Sequence, residues 1–390
     1  MDRRKFVKAG IASATGVVAA SHNLGAVAEE GIVTRTLGKT GIKLPVVSMG
    51  VMNSDNPNLV KAALASGIVH VDTANTYQKG RNEVMLGELL RDYDRDSFVI
   101  STKVRPDGVD RSTGLPTDEV TAENFMEKFE ISMERLGLEY VDILYQHAVQ
   151  AGGMVQYKPI SDVMRNLKKE GRVRFIGISA HSNGPEVIDA MIEDGFWDVV
   201  LTSYNFKMDN VTEMNAVLER ANKAGLGIVA MKTMAGGFLD KEKSKPVDTS
   251  AALKWALNNP NVHTSIPGMT TFDQLEKNVS VMKNLKMTDE EKEHLTLASN
   301  EMGMFCTGCQ QCLPVCRKNL AVPDYMRAYM YNYGYSNLEK AHSLLSELGD
   351  GINPCGDCTD CAVNCTMNFN VKNKIADVSR LLNLPGDLLA

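Results

Sequence analysis

From residue 34 onward, short apolar runs alternate with longer stretches in which apolar residues recur every three or four positions. Almost continuous apolar runs, bounded by turn residues, occupy 44–51, 69–75, 97–104, 141–149, 174–180, 199–206, 227–234 and 262–269. Such runs predict strands buried on both faces. The intervening stretches include 82–93, 122–136, 160–170, 185–194, 212–224 and 249–258 and read as amphipathic helices. Phe129, Met133 and Leu136, for example, share one helical face. Eight strands alternating with helices predict parallel pairing through right-handed crossovers. The count of eight favours a closed (β/α)8 barrel, the TIM-barrel architecture, over an open doubly wound sheet. No G-x-G-x-x-G follows the first strand, which argues against a dinucleotide-binding sheet of that kind. Residues 34–45, with Gly38 and Gly41, predict a hairpin that caps the barrel bottom. A further helix is expected at 288–301, with Thr288 as N-cap and Glu291 three residues on. The barrel domain is placed at 33–300, and no longer repeat or low-complexity tract appears in it.

Composition adds a second and a third segment. The 390 residues are 44% hydrophobic and 23% charged, enough for a large core in an α/β protein. A net charge of −6, with no dense basic run beyond the extreme N-terminus, gives no overall attraction for nucleic acid or anionic lipid. The chain starts Asp2-Arg3-Arg4-Lys5-Phe6, continues with a weakly apolar Ala/Gly stretch at 9–20, and reaches Ala26-Val27-Ala28 before two glutamates. Paired arginines and an A-x-A site resemble a twin-arginine export signal, residues 1–28, which implies a periplasmic destination. A disordered extension or a membrane anchor is the plain alternative, but the apolar stretch is too short to span a bilayer. No other segment is apolar for long enough to span one either, so no membrane span is expected in the mature chain. The eight cysteines all follow residue 305, in two groups of four.

Ionisable residues interrupt three neighbouring strands near their C-terminal ends, where barrel enzymes place their chemistry. Strand two ends Val71-Asp72-Thr73-Ala74-Asn75-Thr76-Tyr77, strand three Ser101-Thr102-Lys103, and strand four Tyr145-Gln146-His147. A buried ion pair with a satisfied histidine explains any one of them; three converging beside a tyrosine point to a site. These segments, with Asn82-Glu83 and Leu86-Gly87-Glu88-Leu89-Leu90, resemble the aldo/keto reductase family over residues 33–285. The resemblance implies an oxidoreductase that interconverts a carbonyl compound (a sugar, aldehyde or ketone) and an alcohol. It implies Tyr77 as general acid, Lys103 lowering the Tyr77 pKa, Asp72 holding Lys103, and His147 positioning the carbonyl.

The resemblance also implies NADP or NAD, held by Ser179, Asn205, Lys232, Gly268, Gln274 and Asn278. Ala180 and Leu201 depart from the family pattern, and the basic residues that often grip a 2′-phosphate are replaced by Gly268 and Gln274. The loop 105–118 is expected to lie over the pocket.

The cysteines form Cys306-x2-Cys309-x2-Cys312-x3-Cys316 and Cys355-x2-Cys358-x2-Cys361-x3-Cys365. This doubled spacing resembles bacterial-type ferredoxins, and implies two [4Fe–4S] clusters for electron transfer and a redox protein partner. Crossed ligation is expected: Cys306, Cys309, Cys312 and Cys365 for one cluster, Cys355, Cys358, Cys361 and Cys316 for the other. Zinc or disulfides are the alternatives. No proline follows Cys316 or Cys365, and 38 residues separate the motifs, with helices expected at 323–333 and 337–348. Residues 301–390 are therefore expected to form a small, mainly helical ferredoxin-like domain. The opposing reading of the whole is a non-catalytic barrel scaffold carrying an electron-transfer module.

Overall fold

The structure is a computed structural model and describes residues 31–356 and 358–385. The expected export signal, 1–28, lies outside them. The first hairpin pairs Thr34–Thr36 (β1) with Lys43–Pro45 (β2), antiparallel. Eight parallel strands follow in sequential order: Met49–Gly50 (β3), His70–Asp72 (β4), Val99–Val104 (β5), Val141–Gln146 (β6), Val173–Ala180 (β7), Val199–Ser203 (β8), Gly227–Met231 (β9) and Thr264–Ser265 (β10). Bridges between Val47 and Ser265 and between Gly50 and Gly268 bring the first barrel strand against the last.

The expected first strand, 44–51, is divided. Residues 43–45 belong to the hairpin, whereas 46–50 close the barrel: Ser265 N donates to Val46 O (2.9 Å) and Ser48 N to Ser265 O (2.7 Å). The barrel interior is a core of its own, with Val99, Ile143, Tyr145, Val199, Leu201, Val229 and Met231 above and Leu37, Ile42 and Leu44 of the hairpin below. The hairpin thus fills the bottom, as expected. Gly38 is required there: its φ is +49°, and a Cβ would lie 2.4 Å from Gly225 O.

The barrel helices are Pro57–Ala65 (α1), Arg81–Leu90 (α2), Ala122–Leu136 (α3), the short Gly152–Val155 (α4), Lys158–Lys169 (α5), Gly184–Asp194 (α6), Val211–Lys223 (α7), Thr249–Leu257 (α8) and Phe272–Lys283 (α9). Asp289–Asn300 (α10) begins with the expected capping box of Thr288 and Glu291.

Beyond residue 300 the described chain has helices and no strand: Val322–Tyr329 (α11), a π-helical turn at Met330–Gly334, Leu338–Leu348 (α12) and Val371–Ser379 (α13). Their core includes Val322, Tyr325, Met326, Leu344, Leu345, Phe369, Val371 and Ile375. This region sits on the C-terminal end of the barrel and touches the loops that follow β3 to β9. Asn337 bonds Asn53 (2.5 Å), and Lys79 and Arg81 pair with Glu339 (3.2 Å each). Arg111 pairs with Glu347 and with Asp324 (3.7 Å), Gln310 donates to Gln150 O (3.5 Å), and Asn183 N donates to Gly308 O (3.2 Å). Lys207 donates to the carbonyls of Ala298 and Glu301 (2.7 Å each), and Lys245 pairs with Glu301 (2.7 Å). The barrel mouth is covered. Among the described residues no helix is long and apolar enough to cross a membrane.

Candidate active site

The four residues read at the strand ends come together under this cover. Asp72 ends β4 and is ion-paired with Lys103 of β5, whose side chain is 2% exposed. The Lys103 ammonium also donates to Thr73 O (2.6 Å) and lies 5.0 Å from the centroid of the Tyr77 ring. Tyr77 and His147 meet edge to face, with centroids 6.2 Å apart. The loop bearing Tyr77 is held from beneath by Asn82, which accepts from Thr73 Oγ1 (2.6 Å) and donates to the carbonyls of Val51 (2.9 Å) and Ser54 (3.0 Å). Gln78 and Lys79 directly after Tyr77 are left-handed, a local strain of the kind that gathers at functional sites. His147 is placed by its own amide, which donates to Val104 O (2.8 Å).

A hydrogen-bonded chain supports the ion pair from inside the barrel. Ser101 Oγ donates to Asp72 Oδ2 (2.6 Å) and meets His70 Nε2 (2.9 Å); His70 Nδ1 meets Ser48 Oγ (3.0 Å), which meets Thr264 Oγ1 (2.8 Å). Burial draws His70 down to about 4, so the imidazole is neutral at ordinary pH. Glu83 is also fully buried and accepts from Thr102 Oγ1 (2.7 Å) and Arg135 (3.3 Å).

Burial, then Lys103, Lys340, Arg105 and Arg327, hold His147 far below the ordinary histidine value. It is a neutral hydrogen-bonding group. Tyr77 differs from expectation. Burial first, and then the Asp72 carboxylate, push its phenol well above the ordinary value, so Lys103 does not lower it in this covered state. The Lys103 charge is spent on Asp72. Tyr77 is therefore protonated, the form a general acid needs.

The residues expected to hold a nicotinamide separate into two places. Ser179 Oγ accepts from Ala148 N (2.9 Å). Asn205 donates to Lys232 O (3.2 Å) and accepts from Lys207 N (3.0 Å). Ser179 keeps its O–H as a donor and Asn205 a second amide N–H, so both retain hydrogen-bonding capacity toward a carboxamide. Lys232 instead lines a cavity of about 280 Å³ with His181, Ser182, Cys306, Gly308 and Arg327. Gly268 stands against Gly50 at the closing seam, Gln274 accepts from Thr270 N (2.7 Å) at the start of α9, and Asn278 is buried on that helix.

The cysteines sort as the crossed expectation requires. Cys306, Cys309, Cys312 and Cys365 line one cavity of about 380 Å³, and Cys316, Cys355, Cys358 and Cys361 another of about 390 Å³. Burial pushes Cys312 up to about 12, reinforced by Cys306, Cys309 and Cys365; Cys355 is raised by burial and then by Cys358, Cys316 and Cys361. All eight are free thiols. Among the described residues no three His, Cys, Asp or Glu side chains close around a single-ion position. Thiols alone, four to a cavity and too open for one ion, suit an iron–sulfur cube and not zinc.

Residues that the sequence did not single out complete the site. His181 follows β7 with its ring centroid 6.0 Å from that of His147. Arg327 and Tyr331 come from α11 and the π-helical turn, Lys340 from α12, and Arg105 from the end of β5. Arg327, set within the apolar Tyr325-Met326-Arg327-Ala328-Tyr329, was the one visible signal.

Comparison with known proteins agrees with this geometry. The aldo/keto reductase family matches residues 49–251, and a 4Fe-4S dicluster domain matches 305–370. L-Galactose dehydrogenase of Arabidopsis thaliana is 27% identical over 68% of this chain and 92% of its own. L-Glyceraldehyde 3-phosphate reductase of Escherichia coli K12 is 25% identical over 70% and 94%. The fold of an aldo-keto reductase from Bacillus halodurans superposes with a TM-score of 0.54 at 22% identity, covering 68% of this chain and 96% of that one. The covered barrel, its strand-end residues and its thiol cavities are therefore those of an oxidoreductase that belongs to the aldo/keto reductase family and carries a C-terminal 4Fe-4S dicluster domain.

Proposed function

We propose that this protein interconverts a small carbonyl compound and its alcohol at Tyr77, and that the iron–sulfur domain exchanges the electrons. One observation carries the reading: Cys306, of the first cysteine set, shares a cavity with His181, which neighbours His147 of the barrel site. Bound at the two cysteine cavities, [4Fe–4S] clusters would each carry one electron. Reduction by cluster electrons takes two electrons and two protons: Tyr77 holds the proton for the carbonyl oxygen, the proton that forms the C–H bond is drawn from solvent, neutral His147 orients the oxygen, and Asp72 with Lys103 fixes the tyrosine's surroundings. The second set, with Cys361 exposed, faces outward, where a redox protein partner would dock. The two named relatives suggest a sugar or sugar-derived substrate. The test is Tyr77→Phe in cluster-loaded protein, with carbonyl reduction abolished and the cluster spectrum retained; unchanged turnover would end the assignment.

Nicotinamide as hydride donor is the second reading. Its favourable feature is the seam at Gly268, where a Cβ would meet only Gly50 O at 3.9 Å, next to the exposed start of α9. Nucleotide released from acid-denatured, freshly purified protein distinguishes the two readings; a stoichiometric dinucleotide establishes the second. We further propose twin-arginine export with removal of residues 1–28, since folded, cluster-loaded protein suits that route. An intact N-terminus on protein recovered from the cell envelope would contradict cleavage.

A further inference from the structure

All the histidines but His22 lie among the described residues, and most of their rings are bonded. His70 meets Ser48 Oγ (3.0 Å) and Ser101 Oγ (2.9 Å), and His342 Nδ1 meets Ser346 Oγ (3.4 Å). His263 Nδ1 accepts from Ile228 N and His294 Nε2 from Asp248 N (2.9 Å each). The rings of His147 and His181 have no hydrogen bond among the described residues, and these two are neighbours, with ring centroids 6.0 Å apart. His181 Nδ1 is buried without a partner. A buried polar atom left in that state is costly to fold, and such atoms are kept where chemistry needs them.

The place of His181 says which chemistry. Its carbonyl accepts from Ser203 Oγ (3.3 Å), which fixes the backbone and leaves the ring to meet a ligand. On one side the ring adjoins His147, itself edge to face with Tyr77 at 6.2 Å. On the other it lines the cavity of about 280 Å³ with Lys232, Cys306 and Arg327. His181 thus stands between the tetrad and the first cysteine set. A carbonyl oxygen held by Tyr77 and His147 has its carbon turned away from them, towards His181 and the cysteines. Two electrons added to that carbonyl leave its carbon in need of a proton. The tetrad has none to spare: the Tyr77 proton goes to oxygen, His147 holds that oxygen, and Lys103 is bonded to Asp72 and Thr73 O.

We propose that His181 is a further catalytic residue, the donor of the proton that forms the C–H bond. The inference rests on the cluster-driven reduction proposed above and supplies its second proton. The step balances as follows, with one electron from each of two reduced [4Fe–4S] clusters. The C=O π bond breaks; Tyr77 Oη gives its proton to the oxygen, forming O–H, and a ring N–H of His181 gives its proton to the carbon, forming C–H. Alcohol leaves, the clusters are oxidised, and Tyr77 and His181 each take a proton back from solvent. An imidazole, neutral or charged, keeps at least one N–H to give. A carbon that has received the electron pair is far more basic than the ring it takes the proton from, so the transfer runs downhill. His181 is only partly buried, which leaves solvent a way to restore the proton.

The test is a single-turnover reduction of D-glyceraldehyde in D2O by dithionite-reduced, desalted, cluster-loaded protein, with the position of deuterium in the glycerol read by NMR. The parent should place one deuterium on the former aldehyde carbon, on one face only. His181→Phe keeps a ring of similar size, and no bonded partner is lost with the imidazole. His181→Gln keeps a hydrogen-bond donor that does not give up its proton, and so separates proton transfer from binding. In both variants turnover should fall roughly 10²–10⁴-fold, and the residual glycerol should carry deuterium on both faces, with the cluster spectrum unchanged. Lys232→Met removes the cavity's amine and should leave the label on one face. Parental turnover with a single labelled face in either His181 variant overturns the assignment, as does loss of the single face in Lys232→Met alone. Glycerol without deuterium on that carbon, or no glycerol from the parent, contradicts cluster-driven reduction itself, and the role of His181 falls with it.

Discussion

At the scale of single residues, the site depends on charges that are affordable only in company. Lys103→Met leaves the Asp72 carboxylate buried without its ammonium, so we expect a loss of about 3–5 kcal/mol in denaturant unfolding. The double variant with Asp72→Asn should recover much of it, since the buried charge is gone too. For Tyr77→Phe the loss expected in turnover is roughly 10²–10⁴-fold, the usual contribution of a positioned proton donor, with unfolding little changed. His70 adds a pH dependence with a definite sign. Its folded pKa, about 4, lies below the ordinary 6.5, so the unfolded chain binds a proton that the folded one refuses. Stability from this residue is complete above pH 6.5 and falls as the pH drops towards 4, by roughly 3 kcal/mol in all. Thermal melts between pH 7 and 4 should show a flatter dependence in His70→Asn than in the parent. Asp72, Lys103 and His147 were legible in the sequence because an ionisable side chain inside an apolar strand is conspicuous. Arg105, Lys340 and His181 were not, because charges at strand ends and on helix faces usually face water. Here docking of a distant segment encloses them.

At the scale of elements, the sequence showed where apolar runs lie but not how far pairing extends. The run at 262–269 yields only Thr264–Ser265 as strand, and 44–51 is shared between the hairpin and the barrel seam. Apolarity reports burial, and loop backbone at a barrel end is buried as well. Helices Phe272–Lys283 and Val371–Ser379 were not read from the sequence; both carry polar residues between their buried ones. The cysteine spacing, by contrast, gave the pairing of both sets, because a tight loop fixes three thiols together and the turn after it sends the fourth away. The docking of the first loop on the barrel depends on Gly308. Its φ is +71°, and a Cβ would come within 2.4 Å of the Ser182 Cβ. Gly308→Ala should push the loop off β7 and slow electron transfer to the barrel site. Cluster absorbance per chain should stay near parental while turnover drops at least severalfold; parental turnover would show that the contact is not needed.

At the scale of the whole molecule, the added domain covers the barrel and, in the function proposed here, conducts electrons to it. Its contacts with the loops after β3 to β9 close the mouth, and its thiol cavities run from that mouth to the surface. Analysis of anaerobically purified protein should give about eight iron and eight acid-labile sulfide per chain, with no zinc. The central claim is that electrons pass between these clusters and a carbonyl compound held at Tyr77 and His147. Its most direct test is a single turnover with dithionite-reduced, desalted protein as the only electron source and a carbonyl compound that the enzyme reduces. The account predicts one alcohol per chain, the yield of two one-electron clusters, with the clusters left oxidised, and none from Tyr77→Phe. Clusters that stay reduced beside the carbonyl compound, while added NADPH alone drives its reduction, would contradict it.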